Sequence, residues 1–184
     1  MGDDIGWVSL DEPAAHRLRR VYYSAYSPIP DAARHLPPIA PPLVREHRLY
    51  QADWLLRFYG FSRDEIIAGG EGGMLDLSLD PKTAWAIKHR ADFPVDLNSA
   101  PRERLLRIPG LGAKTVEKLI AARRHTTIRL ADLARLRVSL PKLLPFIVTP
   151  DHRPRGLDGS GLRERLLPGT AFAQGAKPTQ LSLF

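Results

Sequence analysis

The chain has 184 residues, of which 27 are Lys or Arg and 20 are Asp or Glu, so its formal net charge is +7, and it has no cysteine. Hydrophobic residues make up 43% and charged residues 26%, a globular composition that excludes wholesale disorder and a fibrous protein. Without cysteine, these residues cannot form disulfides, cysteine-ligated zinc, iron–sulfur clusters or a catalytic thiol. No apolar run approaches the roughly 18 residues of a membrane helix, and the start of the chain is acidic where a secretory signal would be basic. We therefore expect a cytoplasmic protein.

The positive charge is concentrated in one segment. Residues 95–148 carry 11 basic and 4 acidic side chains, a net charge of +7, whereas residues 1–94 have a net charge of −2 and residues 149–184 one of +2. Such a concentration is typical of a protein that binds a polyanion. From charge alone, a solvated helix surface explains the segment equally well.

The first 92 residues predict a strand, a proline-rich connector and three helices. Residues 21–26 are β-branched and aromatic, which favours a strand, although the chain offers this strand no visible partner. Six of the 17 prolines fall between residues 28 and 42 and exclude regular structure there. Helices are then predicted from Leu43 to a stop at Gly60, from Ser62, and from the capping pair Asp80-Pro81.

Aromatic side chains in this part of the chain could pack in the core or stack on nucleobases. A stacking role requires them to be exposed together. We expect core positions for Tyr22, Tyr23, Tyr26, Trp54, Phe58 and Tyr59.

Residues 95–124 predict two helices joined by a tight turn. We expect Asn98 or Ser99 to cap the first helix, whose buried side chains are Leu105, Leu106 and Ile108. The turn follows at Pro109-Gly110-Leu111-Gly112, where glycine permits positive φ. The second helix extends from Ala113 to about Arg124, with Val116, Leu119 and Ile120 buried.

This turn predicts a phosphate site. Backbone N–H groups of the turn and of the next helical turn, over Gly110, Leu111, Gly112 and Ala113, face outward at the positive end of a helix dipole. Lys114 and Thr115 add side-chain donors, and Arg102, Arg123 and Arg124 are candidate flanking charges. Such contacts read no base, so binding would be independent of sequence and dependent on salt. The alternative is that the turn only joins two helices.

The run from Ile108 to Thr115 resembles the helix-hairpin-helix motif of DNA-repair and DNA-uptake proteins. It has a hydrophobic residue, then Pro-Gly-hydrophobic-Gly, then Lys-Thr before a helix. The resemblance implies a monovalent cation on the backbone carbonyls of Leu106, Ile108 and Leu111. Residues 126–148 look like a degenerate second copy without its glycines, with Val138 to Lys142 in the place of the turn. We expect this half to pack on the first and to hold phosphate less well.

A longer stretch, from Arg20 to about Ile147, resembles the C-terminal portion of a radical S-adenosylmethionine family of DNA modification or repair proteins, encoded beside a uracil-DNA-glycosylase-like partner. The resemblance lies in residues 20–30, 42–61, 75–81, 93–98 and the hairpin. It implies that the strand at 21–26 closes an α/β barrel that this chain lacks.

The same resemblance implies a [4Fe–4S] cluster on a Cys-x₃-Cys-x₂-Cys motif and S-adenosylmethionine, which the cysteine-free chain cannot hold in that way. We therefore assign no catalytic residue and no cofactor to this chain. It is either the downstream part of a split or truncated gene, or the partner of a separate barrel subunit. A glycosylase or nuclease is the weakest alternative, because no acid, base or metal set is assembled.

The C-terminal residues resemble the pentapeptide by which bacterial repair and replication proteins bind the sliding clamp. Leu183 and Phe184 would fill an apolar pocket of the clamp, and Gln180 would form a hydrogen bond at the rim of that pocket. Leu181 belongs to the same motif. The alternatives are a tail that packs on its own domain and a chance match.

These observations predict a mostly α-helical protein with the following parts: a barrel remnant and connector (1–41), a helical linker region (42–92), a helix-hairpin-helix DNA-binding domain (93–150), and a flexible tail (151–184) with one helical turn near 162–167. The predicted function is sequence-nonspecific DNA binding in repair or modification. The alternative is an accessory protein that is recruited by its tail and packs its hairpin on another protein.

The six histidines show no metal-ligand spacing.

Overall fold

The structure is a computed structural model that describes residues 22–24, 26–28, 39–154 and 161–168. The chain divides into two compact units between Trp85 and Ala86. The described part is mostly helical and contains one two-stranded parallel sheet, which confirms the mostly α class. Within these ranges, no helix has both the length and the apolar character needed to cross a membrane.

Three helices follow the connector, and their predicted end signals are confirmed. Helix α1 (Leu43–Tyr59) ends at Gly60, whose φ of 67° allows its N–H to reach the Leu55 carbonyl. Helix α2 (Arg63–Ala68) begins with a capping box between Ser62 and Glu65. The third helix, α3 (Pro81–Lys88), is preceded by Asp80, which accepts hydrogen bonds from the backbone and the hydroxyl of Thr83 at 3.1 and 2.8 Å.

The strand predicted at residues 21–26 is wrong for the residues that the structure describes. Residues 22–24 and 26–28 have no regular secondary structure, and Val21 and Ala25 lie outside the described ranges. The Tyr50 hydroxyl accepts a bond from the Tyr23 N–H at 3.0 Å and donates one to the Tyr23 carbonyl at 3.1 Å. A side chain therefore satisfies the backbone groups that a neighbouring strand would pair. The two rings also meet edge to face, with centroids 5.1 Å apart.

The second unit is built around a short parallel sheet. Strands β1 (Val95–Asp96) and β2 (Ile147–Val148) pair in parallel, and the Leu97 N–H adds a bond to the Val148 carbonyl at 3.2 Å. Between them lie four helices: α4 (Arg102–Arg107), α5 (Ala113–Ala122), α6 (Leu130–Arg135) and α7 (Leu140–Leu143). Short 3₁₀ turns precede β1 at Arg90–Asp92 and β2 at Leu144–Phe146. Helix α8 (Leu162–Leu166) confirms the helical turn predicted near 162–167.

The four helices form two consecutive pairs with matching spacing. A shift of 27 positions moves Leu106 of α4 onto Leu133 of α6, Gly112 before α5 onto Ser139 before α7, and Val116 onto Leu143. The buried positions coincide, because these four leucine and valine side chains are at most 2% exposed. The pairs therefore present equivalent apolar positions to the core of the unit. The buried rings of Phe93 and Phe146 pack edge to face in this core, with their centroids 5.1 Å apart.

The predicted cap of α4 is wrong, because both candidate residues are used elsewhere. Pro101 is the N-cap of α4, without a side-chain bond. The Asn98 amide instead bonds both backbone groups of Ile128, at 2.7 and 3.1 Å, and the Ser99 hydroxyl donates to Asp96 at 3.0 Å. Asn98 thus connects the segment before α4 to the segment before α6, a long-range contact that a local pattern cannot reveal.

Asp151 makes a similar connection after β2. Its carboxylate accepts bonds from the Thr149 hydroxyl at 2.8 Å and from the Leu130 N–H at the start of α6 at 3.2 Å. The hydrogen bond from Thr149, with that from Leu130 adding to it, holds the pKa of Asp151 below its ordinary value. The segment after β2 is therefore tied to the second helical pair.

Candidate functional site

The turn between α4 and α5 is held by apolar side chains on either side of an exposed glycine. Ile108 and Leu111 are buried, and the Leu111 N–H donates to the Ile108 carbonyl at 3.3 Å. Gly110 lies between them with a φ of +81°, a left-handed conformation that costs any residue with a Cβ. The sequence pattern therefore predicts this turn correctly, and the positive φ at position 110 favours glycine there.

Helix α5 begins directly after the turn. Gly112 is its N-cap, and the Gly112 carbonyl accepts the N–H groups of Thr115 and Val116, each at 2.9 Å. In the described part of the chain, the N–H groups of Gly110, Gly112 and Lys114 have no acceptor. Three donors thus remain at the positive end of a ten-residue helix, where an anion is favoured.

The predicted side-chain donors differ in what they already contact. The Lys114 side chain is exposed beside the turn, and Thr115 is half-buried. Arg102 is engaged, because its Nε lies 2.6 Å from the Glu117 carboxylate and joins α4 to α5. Arg123 is also engaged: its Nη1 donates to the carbonyls of Leu97 and Ala100, at 3.1 and 2.7 Å.

Arg124 is the remaining flanking arginine. Its side chain is exposed and bonds to none of the described residues. Of the three arginines predicted to flank the phosphate site, it therefore has the guanidinium group most available to an anion, whereas Arg102 and Arg123 contribute to the fold.

Of the three carbonyl groups predicted to hold a monovalent cation, that of Leu106 belongs to the last turn of α4, and those of Ile108 and Leu111 belong to the turn that follows. The Ile108 carbonyl already accepts the Leu111 N–H. A cation would share that oxygen, which has a second lone pair. The cation remains a prediction. Elsewhere in the described ranges, no group of three or more His, Asp or Glu side chains could hold a metal ion.

The turn of the second helical pair lies beside the first. A Cβ added to Gly110 would be 3.5 Å from the Ser139 carbonyl oxygen and 3.7 Å from the Cβ atoms of Lys142 and Leu143. Two residues before Ser139, Arg137 has a φ of +55°. The shift of 27 positions places Arg137 on Gly110, so an arginine adopts the left-handed conformation at the position where the first turn has glycine. The sequence pattern gave no sign of this, because the missing glycines predict a different backbone.

The expectation that the aromatic residues are core is wrong for three of them. On α1, Trp54 is 59% and Phe58 52% exposed, with ring centroids 4.9 Å apart, and Tyr22 is 76% exposed. Helix α1 instead buries Ala52, Leu55 and Asp53, whose carboxylate is paired with Arg57 at 2.8 Å. The face on which Leu43, Trp54 and Phe58 recur is therefore exposed, and the opposite face, which carries the ion-paired aspartate, is the buried one.

The other three aromatic side chains are more enclosed. Tyr23 is buried, and Tyr26 and Tyr59 are half-buried, with the Lys82 ammonium 4.6 Å from the centre of the Tyr59 ring. Burial, with the nearby Asp53 carboxylate adding to it, raises the pKa of Tyr23 to about 12. These contacts are structural.

The residues predicted to bind the sliding clamp, Gln180, Leu181, Leu183 and Phe184, lie outside the described residues. Comparison with known protein families, curated proteins and solved structures gives no match.

Proposed function

We propose that this chain binds DNA through its sugar–phosphate backbone, with α4, the turn and α5 acting as a helix-hairpin-helix. The observation that supports this most is the set of N–H groups of Gly110, Gly112 and Lys114, which lack an acceptor in the described part of the chain. They lie together at the N-terminus of α5, in the segment that carries a net charge of +7.

The chemistry of these groups favours a phosphate. The N–H donors and the helix dipole stabilise a negative oxygen, and the exposed Lys114 ammonium adds a charge-assisted bond. Gly110 is exposed and has no side chain of its own to hinder an approaching phosphate. Such a site contacts no base edge, so binding would be independent of sequence and would weaken steeply with salt.

For the setting of this binding, we propose DNA repair or modification in the cytoplasm, beside a radical S-adenosylmethionine-type barrel on a separate subunit. The support is the similarity of residues 20–30, 42–61, 75–81 and 93–98 to that family. A [4Fe–4S] cluster and S-adenosylmethionine would belong to the barrel. A uracil-DNA-glycosylase-like protein is the other proposed partner.

A salt titration tests the DNA proposal. Binding of the full chain to a labelled duplex of random sequence is measured over a range of salt concentrations for wild type, Lys114→Gln and Lys118→Gln. A plot of the logarithm of the association constant against the logarithm of the salt concentration has a negative slope. Each lost phosphate contact makes that slope less steep by about 0.9, which corresponds to about eightfold weaker binding at 0.1 M salt. We expect this loss for Lys114→Gln.

Lys118→Gln is the matched control, since Lys118 is exposed on the same helix one turn beyond the N–H donors. It should lower the slope by much less. Equal slopes for wild type and Lys114→Gln, or no binding by wild type, would contradict the proposal.

A second candidate function is that of an accessory protein recruited through protein contacts. The exposed pair Trp54 and Phe58, with Leu43 at 62% exposure on the same helix, is the observation that favours it. We propose the bacterial sliding clamp as one partner, through Gln180, Leu181, Leu183 and Phe184. Micromolar binding to purified clamp that disappears when Leu183 and Phe184 become alanine would support this, and binding that survives the change would refute it.

A further inference from the structure

Arg137 adopts a backbone conformation that its residue type disfavours. Its φ of +55° is in the left-handed region, where a Cβ approaches the following carbonyl and where glycine has no such cost. Among the described residues, no other non-glycine residue has positive φ. A non-glycine residue in a disfavoured backbone conformation is often found at a functional site, where its side chain takes part in binding.

The surroundings of Arg137 indicate what that use is. Its side chain is exposed and makes no bond with the described residues. It lies two residues from Ser139, whose carbonyl oxygen would be 3.5 Å from a Cβ on Gly110, so the two turns adjoin. Neither turn, from 107 to 116 or from 136 to 143, contains an acidic residue, and both contain basic ones.

The second turn cannot bind an anion in the way proposed for the first. Helix α7 has only four residues, so it has little dipole, and Pro141 lacks an N–H in its first turn. A guanidinium group does not depend on a helix, since it presents several N–H donors in a plane that matches a phosphate.

We propose that the Arg137 side chain binds a second backbone phosphate of the DNA whose first phosphate lies at Gly110, Gly112 and Lys114. The second turn would thus use a guanidinium where the first uses backbone N–H groups. This inference rests on the proposed function and extends its site to the second helical pair.

The test uses the full chain, the labelled random duplex and a salt titration. Arg137→Gln keeps the Cβ and removes the charge, and Arg137→Gly removes both. We expect each to lower the salt slope by about 0.9 and to weaken binding about eightfold at 0.1 M salt. Arg137→Lys should keep the slope and bind a few fold more weakly, because it loses the paired bonds of the guanidinium.

Urea unfolding of the same variants separates binding from folding. Arg137→Gly should unfold at the same or a higher urea concentration than wild type, because glycine removes the conformational cost, yet it should bind DNA more weakly. The matched control is Arg90→Gln, an exposed arginine of the same unit in the 3₁₀ turn before β1, which should retain the wild-type slope.

A wild-type slope for Arg137→Gln overturns the inference, and so does an equal loss in Arg90→Gln. If Lys114→Gln still lowers the slope in that case, only the role of Arg137 fails. If wild type does not bind the duplex, or neither Lys114→Gln nor Arg137→Gln changes the slope, the proposed function fails as well.

Discussion

Arg123 and Arg124 are adjacent in sequence, and the structure predicts opposite consequences for their replacement. The Arg123 Nη1 donates two hydrogen bonds, at 3.1 Å to the Leu97 carbonyl and 2.7 Å to the Ala100 carbonyl. A hydrogen bond to a charged group contributes about 1.5–3 kcal/mol when buried. Because Arg123 is only half-buried, solvent screening reduces this contribution. We expect Arg123→Met to lower the free energy of unfolding by about 2 kcal/mol for the two bonds together.

The assay is urea unfolding followed by circular dichroism, with a thermal scan in parallel. A loss of about 2 kcal/mol corresponds to a melting temperature about 4–8 °C lower for a chain of this size. Arg124→Gln is the matched control, because its exposed side chain bonds to none of the described residues. It should change the free energy of unfolding by no more than about 0.5 kcal/mol.

In DNA binding the order of the two variants should be reversed, with the larger effect in Arg124→Gln. We expect Arg124→Gln to lower the salt slope more than Arg123→Met does, since the Arg123 guanidinium is already held by backbone carbonyls. Wild-type stability of Arg123→Met would refute the assignment of this arginine to the fold. So would a loss of DNA affinity larger than that of Arg124→Gln at unchanged stability.

Three further predictions follow from side chains outside the two turns. Asp151 has a lowered pKa, so its stabilising effect is present above pH about 4 and is lost as pH falls through the pKa of the folded state. We expect Thr149→Val to raise the pKa of Asp151 in an NMR titration. An unchanged pKa would contradict the hydrogen bond from Thr149 as the cause. Tyr23 has a pKa of about 12, so the folded state keeps a proton that the unfolded state loses above pH about 10, and stability should fall from there to pH about 12. Tyr23→Phe should abolish this fall in urea unfolding, and persistence of the fall would assign it to another group. Replacing Trp54 and Phe58 by glutamine should change the free energy of unfolding by less than about 1 kcal/mol, whereas a larger loss would show that the rings are packed.

Local patterns predicted the helices well because the signals that end them are local. Gly60, Ser62 and Asp80 act within five residues of their own positions, and each is observed at the helix end where it was predicted. The turn at Gly110 belongs to the same group, since a glycine in left-handed conformation between buried Ile108 and Leu111 satisfies purely local requirements.

The contacts that local patterns did not reveal mostly join residues that are distant in sequence. Asn98 resembles a helix cap, but its amide bonds Ile128, 30 residues away. Arg123 resembles a flanking charge, but it holds carbonyls 23 and 26 residues before it. The exception is local: on α1, Asp53 pairs with Arg57 four residues later and is buried, while Trp54 is exposed, which a count of apolar spacing cannot anticipate.

The parallel pairing of β1 and β2 has a mechanical consequence. In a parallel pair, the chain enters β1 at one end of the pair and leaves β2 at the opposite end. A force that pulls on the chain before Val95 and after Val148 therefore loads the bonds between the strands in shear, so that they share the load instead of opening one at a time. Tension along the chain would have to break this pair before it reached the four helices enclosed between the strands.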